Sequence, residues 1–277
     1  MPLPRFDGTL CTDVPPYRRI VPFLMRGRNE SAVYFEQTID LTRTLPFVEA
    51  WNTSHPRERR ITFFHVLLGA LPRVLAERTR LNRFVSGERI YQRKGVYISF
   101  AAKKKMDDEA PLQVVKLPFE ANEPFARMVE RVAGGIVEAK SDKITQVDKE
   151  LDFFLKLPRL LLSAAVRVLG LLDFYNLAPR VLLEPDPMYT SVFLANLGSL
   201  KMGGGFHHLY EYGNCPIFGV VGQIETIPAV TDGGRIEPRR VCKVRWSYDE
   251  RIEDGLYCAR SLELLKKLVE DPASWAK

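Results

Sequence analysis

The fold is decided by the stretch Tyr248-Asp249-Glu250-Arg251-Ile252-Glu253-Asp254-Gly255, which joins a predicted strand at residues 241–246 to a closing helix at 255–270. A second stretch, Ala195-Asn196-Leu197-Gly198-Ser199-Leu200, ends an earlier strand. It is followed by Gly203-Gly204-Gly205-Phe206 and by a strand that begins at Ile217. Each stretch is therefore a turn that leaves a strand, the position in which candidate functional residues are often found.

Strand-like and helical patterns are mixed along the rest of the chain. Runs rich in β-branched and aromatic residues predict strands at 32–42, 89–92, 96–102, 112–117, 189–197, 217–224 and 241–246. Apolar residues at three- and four-residue steps predict helices at 62–78, 123–139 and 255–270. Because the elements follow no strict βαβ order, we expect an α/β fold with a mixed central sheet flanked by helices.

The composition is that of an ordinary globular protein. The 277 residues are 46% apolar and 27% charged, which excludes wholesale disorder and a fibrous repeat. Forty Lys and Arg against 34 Asp and Glu give a net charge of +6. The cations form no long block, so we expect no nucleic-acid partner. The prolines and arginines of residues 1–30 predict an extended arm, which leaves residues 31–277 as one domain.

The cysteines indicate a reducing compartment. Cys11, Cys215, Cys242 and Cys258 lie far apart, without a CxxC pair or the spacing of zinc ligands. We therefore expect free thiols and no metal. Because the first residues contain no apolar signal segment, the expected location is the cytoplasm. A peripheral association with a membrane is kept as an addition to this expectation.

Residues 146–187 differ from the rest of the chain. Almost every residue of 160–174 is apolar, and Ser163, Arg167 and Gly170 form one narrow polar stripe. Such a helix either packs on protein, here the domain or another subunit, or lies in a membrane interface. Arg167 and Asp173 interrupt the run, so it does not qualify as a membrane span. Both interpretations stay open, and the second would place residues 151–183 at a membrane surface.

The two quoted stretches resemble, in this order, the catalytic domain of the 2-oxoacid dehydrogenase acyltransferases (the E2 components) and, more distantly, chloramphenicol acetyltransferase. That family carries an SNLG strand end and then DHRxxDG or DHRxxNG before a helix. The segment Arg80-Leu81-Asn82-Arg83, after the helix predicted at 62–78, resembles the family's P-x-L-N-x. The similarity covers residues 30–145 and 188–272, so 146–187 is an apolar helical insertion in a chloramphenicol-acetyltransferase-like domain.

The resemblance implies an acyltransferase. Family members form homotrimers or larger assemblies of trimers, and their active sites lie in a channel at the subunit boundary. Coenzyme A, or its acyl thioester, enters as a substrate, the DHR histidine is the general base, and the serine before NLG stabilises the oxyanion. In this chain the histidine position is Glu250 and the serine position is Ala195, followed by Asn196 and Gly198 on the substrate-binding side. Asp249, Arg251 and Gly255 keep the family's residue types, which implies that they hold the loop, and Asp254 keeps the family's acidic position, which the resemblance assigns to organising the loop or the catalytic groups.

Substitution of the base and of the oxyanion donor leaves several hypotheses. Glu250 could itself act as the base if burial raised its pKa, or it could pair with an arginine and hold the loop. His207 and His208 could form a relocated acid–base centre, or they could be structural. The chain is then an altered or impaired acyltransferase, or a pseudoenzyme that serves as a trimeric scaffold or as a binder of acyl thioesters or lipid. Attachment to a membrane surface is compatible with each of these functions.

Overall fold

The computed structural model describes residues 3–103, 112–141, 155–231 and 233–276. Two sheets and eight helices organise these ranges. The strands are β1 Gly8–Leu10, β2 Ala32–Asp40, β3 Arg83–Ser86, β4 Arg89–Arg93, β5 Val96–Lys103, β6 Leu112–Phe119, β7 Val192–Asn196, β8 Ile217–Val230 and β9 Ile236–Asp249. The helices are α1 Pro16–Arg19, α2 Val21–Leu24, α3 Thr44–Ser54, α4 Phe63–Glu77, α5 Phe125–Lys140, α6 Arg159–Phe174, α7 Arg180–Leu183 and α8 Gly255–Glu270.

The central sheet has six strands in the order β2-β9-β8-β7-β5-β6. Strand β7 runs parallel to both of its neighbours, and the remaining pairs are antiparallel. The sheet is therefore mixed, and the α/β class predicted from the sequence is confirmed. Strands β8 and β9 extend beyond the sequence prediction as a hairpin, because the alternation of half-buried and exposed residues continues from Ile224 to Val230.

The main core lies between the sheet and helices α4 and α8. Eleven residues of α4 are buried, and Val66 and Leu67 have no exposed surface. Trp246 of β9, which is 1% exposed, contributes the largest fully buried side chain. Full burial of a side chain such as Leu67 contributes about 1.5–3 kcal/mol. Helix α4 begins with a capping box, in which Thr62 N–H donates to His65 Nδ1 at 3.1 Å.

The arm is more regular than the sequence predicts. Strand β1 pairs with β4 in a three-stranded sheet of order β1-β4-β3, and α1 and α2 follow as single turns. Pro16 and Pro22 lie in the first turn of their helices, where the backbone N–H is not needed. Arg5 forms a bidentate pair with Asp7 and donates to Ser86. The arm therefore docks on the body through a buried polar network.

The predicted apolar helix is α6, and it is mostly exposed. No residue of α6 is fully buried, and Leu162, Ala165, Leu169 and Leu172 are half-buried. Residues 146–154 of the predicted insertion lie outside the described residues. Within the described ranges no helix is both long enough and apolar enough to cross a bilayer.

Candidate functional site

A buried ion pair holds the turn between β9 and α8. Asp249 and Arg251 are 0% and 3% exposed. Arg251 Nε and Nη2 donate to the two carboxylate oxygens of Asp249, both at 2.8 Å. Arg251 Nη1 also donates to the carbonyls of Met25 and Arg26 in the arm. This bidentate pair fixes the turn and joins it to the arm.

The backbone of Glu250 is held on both sides. Its N–H donates to the carbonyl of Ser31 at 3.0 Å, and its own carbonyl accepts a hydrogen bond from Arg18 Nη1 at 3.1 Å. The side chain is half-buried, and across the described ranges its carboxylate has no hydrogen bond or ion pair. The arginine pairing considered from the sequence is therefore made by the carbonyl and not by the carboxylate. The Glu250 carboxylate therefore takes no part in the contacts that hold the turn.

Glu253, which the sequence did not single out, is the other buried acid of the turn. Its carboxylate forms ion pairs with Arg18 at 3.3 Å, Arg83 at 3.1 Å and Arg80 at 3.3 Å. Arg18 and Arg83 are themselves largely buried. Arg18 thus contacts both the Glu253 carboxylate and the Glu250 carbonyl, so it joins the two halves of the turn.

Asp254 and Gly255 begin helix α8. Asp254 is the N-cap residue, and its Oδ1 accepts the N–H of Tyr257 at 2.8 Å. A carboxylate at this end also interacts favourably with the helix dipole. This oxygen of Asp254 is therefore engaged in the start of the helix, and Gly255 is the first helical residue.

The second stretch is placed at the end of β7. Ala195 and Asn196 are its last two residues and are half-buried. Asn196 Oδ1 accepts the N–H of Ser199 at 3.3 Å and caps a short 3-10 turn. A Cβ on Gly198 would lie 2.4 Å from the carbonyl oxygen of Gly222, so this close approach of two backbones requires glycine.

One chain does not bring the two stretches together. Ala195 is in register with Val220 of β8, whereas the N–H of Asp249 bonds to the carbonyl of Pro216. Pro216 directly precedes β8 and is four positions from Val220, which is roughly 13 Å along the strand. Strand β7 lies two strands, roughly 10 Å, from β9. Ala195 and Glu250 of the same chain are therefore too far apart to act on one reacting atom.

The two histidines occupy the loop that crosses the start of β8. His207 is half-buried and stacks on Phe218, with ring centroids 3.9 Å apart. Its Nδ1 lies 2.7 Å from the His208 carbonyl, and its carbonyl accepts a hydrogen bond from Ser247 Oγ. Burial lowers the pKa of His207 and so favours its neutral imidazole. His208 is exposed.

A cavity of about 350 Å³ lies beside the turn. Arg28 and Arg251 line it from the arm and the turn, and Glu211 and Tyr189 line it from the loops around β7. Arg28 is buried, and burial lowers its pKa. The pKa of Glu211 is lowered although burial opposes this, because the N–H groups of Asn29 and Arg28 donate to its carboxylate. The cavity thus presents fixed charges of both signs.

Arg18 and Glu253 hold the turn and Arg28 and Glu211 line the cavity beside it, and the sequence reasoning assigned none of the four. The arginines of the arm stand out as a basic cluster, which is the only signal that pointed to them. Within the described ranges, no group of three or more His, Cys, Asp or Glu residues is arranged to hold a metal ion.

The comparisons with known proteins agree with the observed fold. Residues 181–276 match the family model of the 2-oxoacid dehydrogenases acyltransferase (catalytic domain). A crystal structure of a probable dihydrolipoamide acetyltransferase from Listeria monocytogenes superposes with a TM-score of 0.64, at 17% identity and over 95% of each chain. The chain has the E2 acyltransferase fold. The resemblance seen in the sequence is thereby confirmed.

Two further solved structures share this acyltransferase fold. Dihydrolipoamide acetyltransferase of Azotobacter vinelandii gives a TM-score of 0.60 at 19% identity over 100% of both chains. A chloramphenicol acetyltransferase gives a TM-score of 0.54 at 13% identity over 95% of this chain and 98% of the other. No curated protein sequence matches the chain.

Proposed function

We propose that this chain binds a coenzyme A thioester and transfers its acyl group to a thiol or similar acceptor, by a route altered from that of the E2 enzymes. The observation that carries the proposal is the fixed backbone of residue 250, held by Ser31 and Arg18 beside the buried Asp249–Arg251 pair. The Azotobacter structure addresses the role of a serine, a histidine and an asparagine in that enzyme's catalytic mechanism. The histidine and the asparagine are four positions apart. Glu250 and Asp254 have the same spacing.

The site proposed here lies between two copies of the chain. Ala195 and Glu250 of one chain are separated along and across the sheet, so a shared reaction centre needs Ala195 from one copy and Glu250 from the next. The family resemblance implies a homotrimer, which would provide three such boundaries. The oligomeric state in solution is therefore part of the proposal, and a monomer would contradict it.

The proposed chemical step uses Glu250 as the base. Its carboxylate takes the proton of the acceptor thiol, and the thiolate attacks the carbonyl carbon of the acyl thioester. The tetrahedral intermediate then expels the coenzyme A thiolate, which takes the proton from Glu250 and restores the carboxylate. Ala195 has no hydroxyl to donate to the oxyanion, a loss of about 10²–10³ in rate by analogy with other oxyanion holes. We therefore expect turnover well below that of a site with both a serine and a histidine.

The test measures free coenzyme A released from acetyl-CoA and longer acyl-CoA thioesters in the presence of a dithiol acceptor. Glu250→Gln should remove turnover, since the amide cannot take the proton, while His208→Ala, an exposed position, is the matched control. Loss of turnover in His207→Ala with Glu250→Gln unaffected would refute Glu250 as the base. The double change Glu250→His with Ala195→Ser should raise turnover by at least tenfold if the frame is that of the family.

The alternative is a non-catalytic protein with the same frame. The methyl group of Ala195 favours it, because no hydroxyl is left to stabilise the oxyanion. The half-exposed position of Glu250 favours it too, because a carboxylate that removes a thiol proton needs burial. A pseudoenzyme of this kind would serve as a trimeric scaffold or would bind acyl thioesters or lipid. Calorimetric binding of coenzyme A without turnover, unchanged in Glu250→Gln, would support this alternative over the enzyme.

A further inference from the structure

Helix α6 has three faces of different character. Side chains are spaced by 100° around a helix, so Leu162, Ala165, Leu169 and Leu172 share one side, and they are the half-buried residues that rest on the body. The adjoining side is apolar and faces solvent, and Arg167 lies between it and the far side of the helix. Its residues are Leu160, Leu161, Ala164, Val168 and Leu171, and the exposed fraction of Leu160 reaches 83%. We call these five residues the outward face.

A cationic stripe borders the outward face. Arg159, Ser163, Arg167 and Gly170 follow one another along it, and all four are exposed. Neither arginine has an ion pair with any residue that the structure describes. The one acid of α6 is Asp173, which is already paired with Arg5 at 2.8 Å. The exposed surface of α6 is therefore apolar and cationic.

The helix is attached to the body at its C-terminal end. Besides the Arg5–Asp173 pair, Asn176 Nδ2 donates to the Leu3 carbonyl and to Tyr91 Oη. Gly87 is packed so closely under the Phe174 carbonyl that a Cβ there would lie 2.2 Å from the oxygen. These contacts fix the orientation of α6, so the outward face is presented at a defined angle and is not free to turn inward.

We propose that the outward face of α6 binds the surface of an anionic phospholipid bilayer, with the helix axis in the plane of the interface. An apolar stripe next to basic residues is the pattern of helices that insert one face at the boundary of headgroups and acyl chains. Leu160, Val168 and Leu171 enter the acyl region, and Arg159 and Arg167 extend along the surface to phosphate groups. This surface does not depend on whether the chain transfers acyl groups.

The charges favour a lipid over a second copy of the chain. If two copies met through the same face, Arg159 and Arg167 of each would approach those of the other, and no acid of α6 is available to neutralise them. Anionic headgroups neutralise Arg159 and Arg167 without cost to the apolar contact.

The test is sedimentation of the full chain with vesicles of phosphatidylcholine alone and with vesicles of equal parts phosphatidylcholine and phosphatidylglycerol. We expect binding to the mixed vesicles, and at least tenfold weaker binding to the neutral ones. The double variant Leu160→Glu with Leu171→Glu should lose binding by tenfold or more. Arg159→Ala and Arg167→Ala should each weaken it by about fivefold, which is about 1 kcal/mol per basic residue near the surface.

Val230→Glu is the matched control, because Val230 is 74% exposed, between Leu171 at 58% and Leu160 at 83%, but lies in the β8–β9 hairpin. It should bind as the unchanged protein does, and thermal unfolding should show that all variants are folded. Equal loss in Val230→Glu, or equal binding to both kinds of vesicle, would overturn the proposal. The proposal would also be overturned if the double leucine variant still bound vesicles but no longer self-associated. Helix α6 would then be a contact between copies of the chain.

Discussion

Replacing Asp249 with asparagine should destabilise the protein strongly, because it leaves a buried guanidinium without its counter-charge. Arg251 is 3% exposed, and two of its donors lie 2.8 Å from the two Asp249 oxygens. An amide can accept at one of these positions but would present N–H groups at the other. Breaking a buried pair by removing one partner costs about 3–5 kcal/mol. For a chain of this size that corresponds to a fall in melting temperature of roughly 6–20 °C.

The measurement is urea unfolding followed by tryptophan fluorescence, with Glu184→Gln as control. Glu184 also pairs with an arginine, Arg180, but both side chains are largely exposed, so loss of that pair should barely change the midpoint. A shift of the Asp249→Asn midpoint no larger than that of Glu184→Gln would refute the reasoning. The turn would then be held by the other contacts of the arm and not by this ion pair.

Three further changes have expected outcomes. Burial lowers the pKa of His65 to about 4, so as the pH falls the unfolded chain takes up this proton before the folded chain does. The free energy of unfolding should therefore fall by about 1–2 kcal/mol from pH 7 to pH 5. His65→Gln, whose side-chain oxygen can keep the cap of α4, should flatten this dependence in urea titrations. Gly198→Ala should destabilise the fold by about 1–3 kcal/mol in thermal unfolding, whereas Gly170→Ala, with open space around it, should stabilise α6 by about 0.5–1 kcal/mol. Glu253→Gln should cost about 3–5 kcal/mol in urea unfolding, because it leaves buried arginines uncompensated.

Helix α8 shows what local sequence can predict. Its observed bounds, Gly255–Glu270, are those expected from the sequence, because Asp254 supplies the N-cap and apolar residues recur at helical spacing. Strand β9 was predicted at 241–246 and runs from Ile236 to Asp249. The residues missed at its start, 236–240, belong to the projecting hairpin, where neither face is fully buried and the strand pattern is correspondingly weak.

The environment of the site could not be predicted in the same way. Glu250 and Arg18 are 232 positions apart, and Arg28 and Glu211 are 183 apart. No spacing rule connects such pairs, since they meet only when the arm folds over the sheet. The dense prolines of residues 1–30 predicted an extended arm, but Pro16 and Pro22 in fact start helical turns that carry Arg18 to the Glu250 carbonyl.

The distribution of contacts in the turn explains how the frame can persist while the reacting group changes. Asp249, Arg251, Glu253 and Asp254 form the side-chain contacts that hold it, whereas residue 250 contributes only its backbone N–H and carbonyl. The side chain at 250 is therefore under little constraint from folding. Glu250→Ala and Glu250→His should each change the free energy of unfolding by no more than about 0.5 kcal/mol, as surface substitutions do.

The same urea measurement decides between two views of Glu250. If Glu250→Ala lowers the free energy of unfolding by more than about 1 kcal/mol, well above the ordinary range for such positions, the carboxylate itself stabilises the turn. Its presence would then be explained by stability, and the proposal that it acts as a base would lose its structural support. If the free energy of unfolding is unchanged while turnover is lost, a weakened turn cannot explain the lost turnover. The carboxylate then acts in the reaction and not in folding.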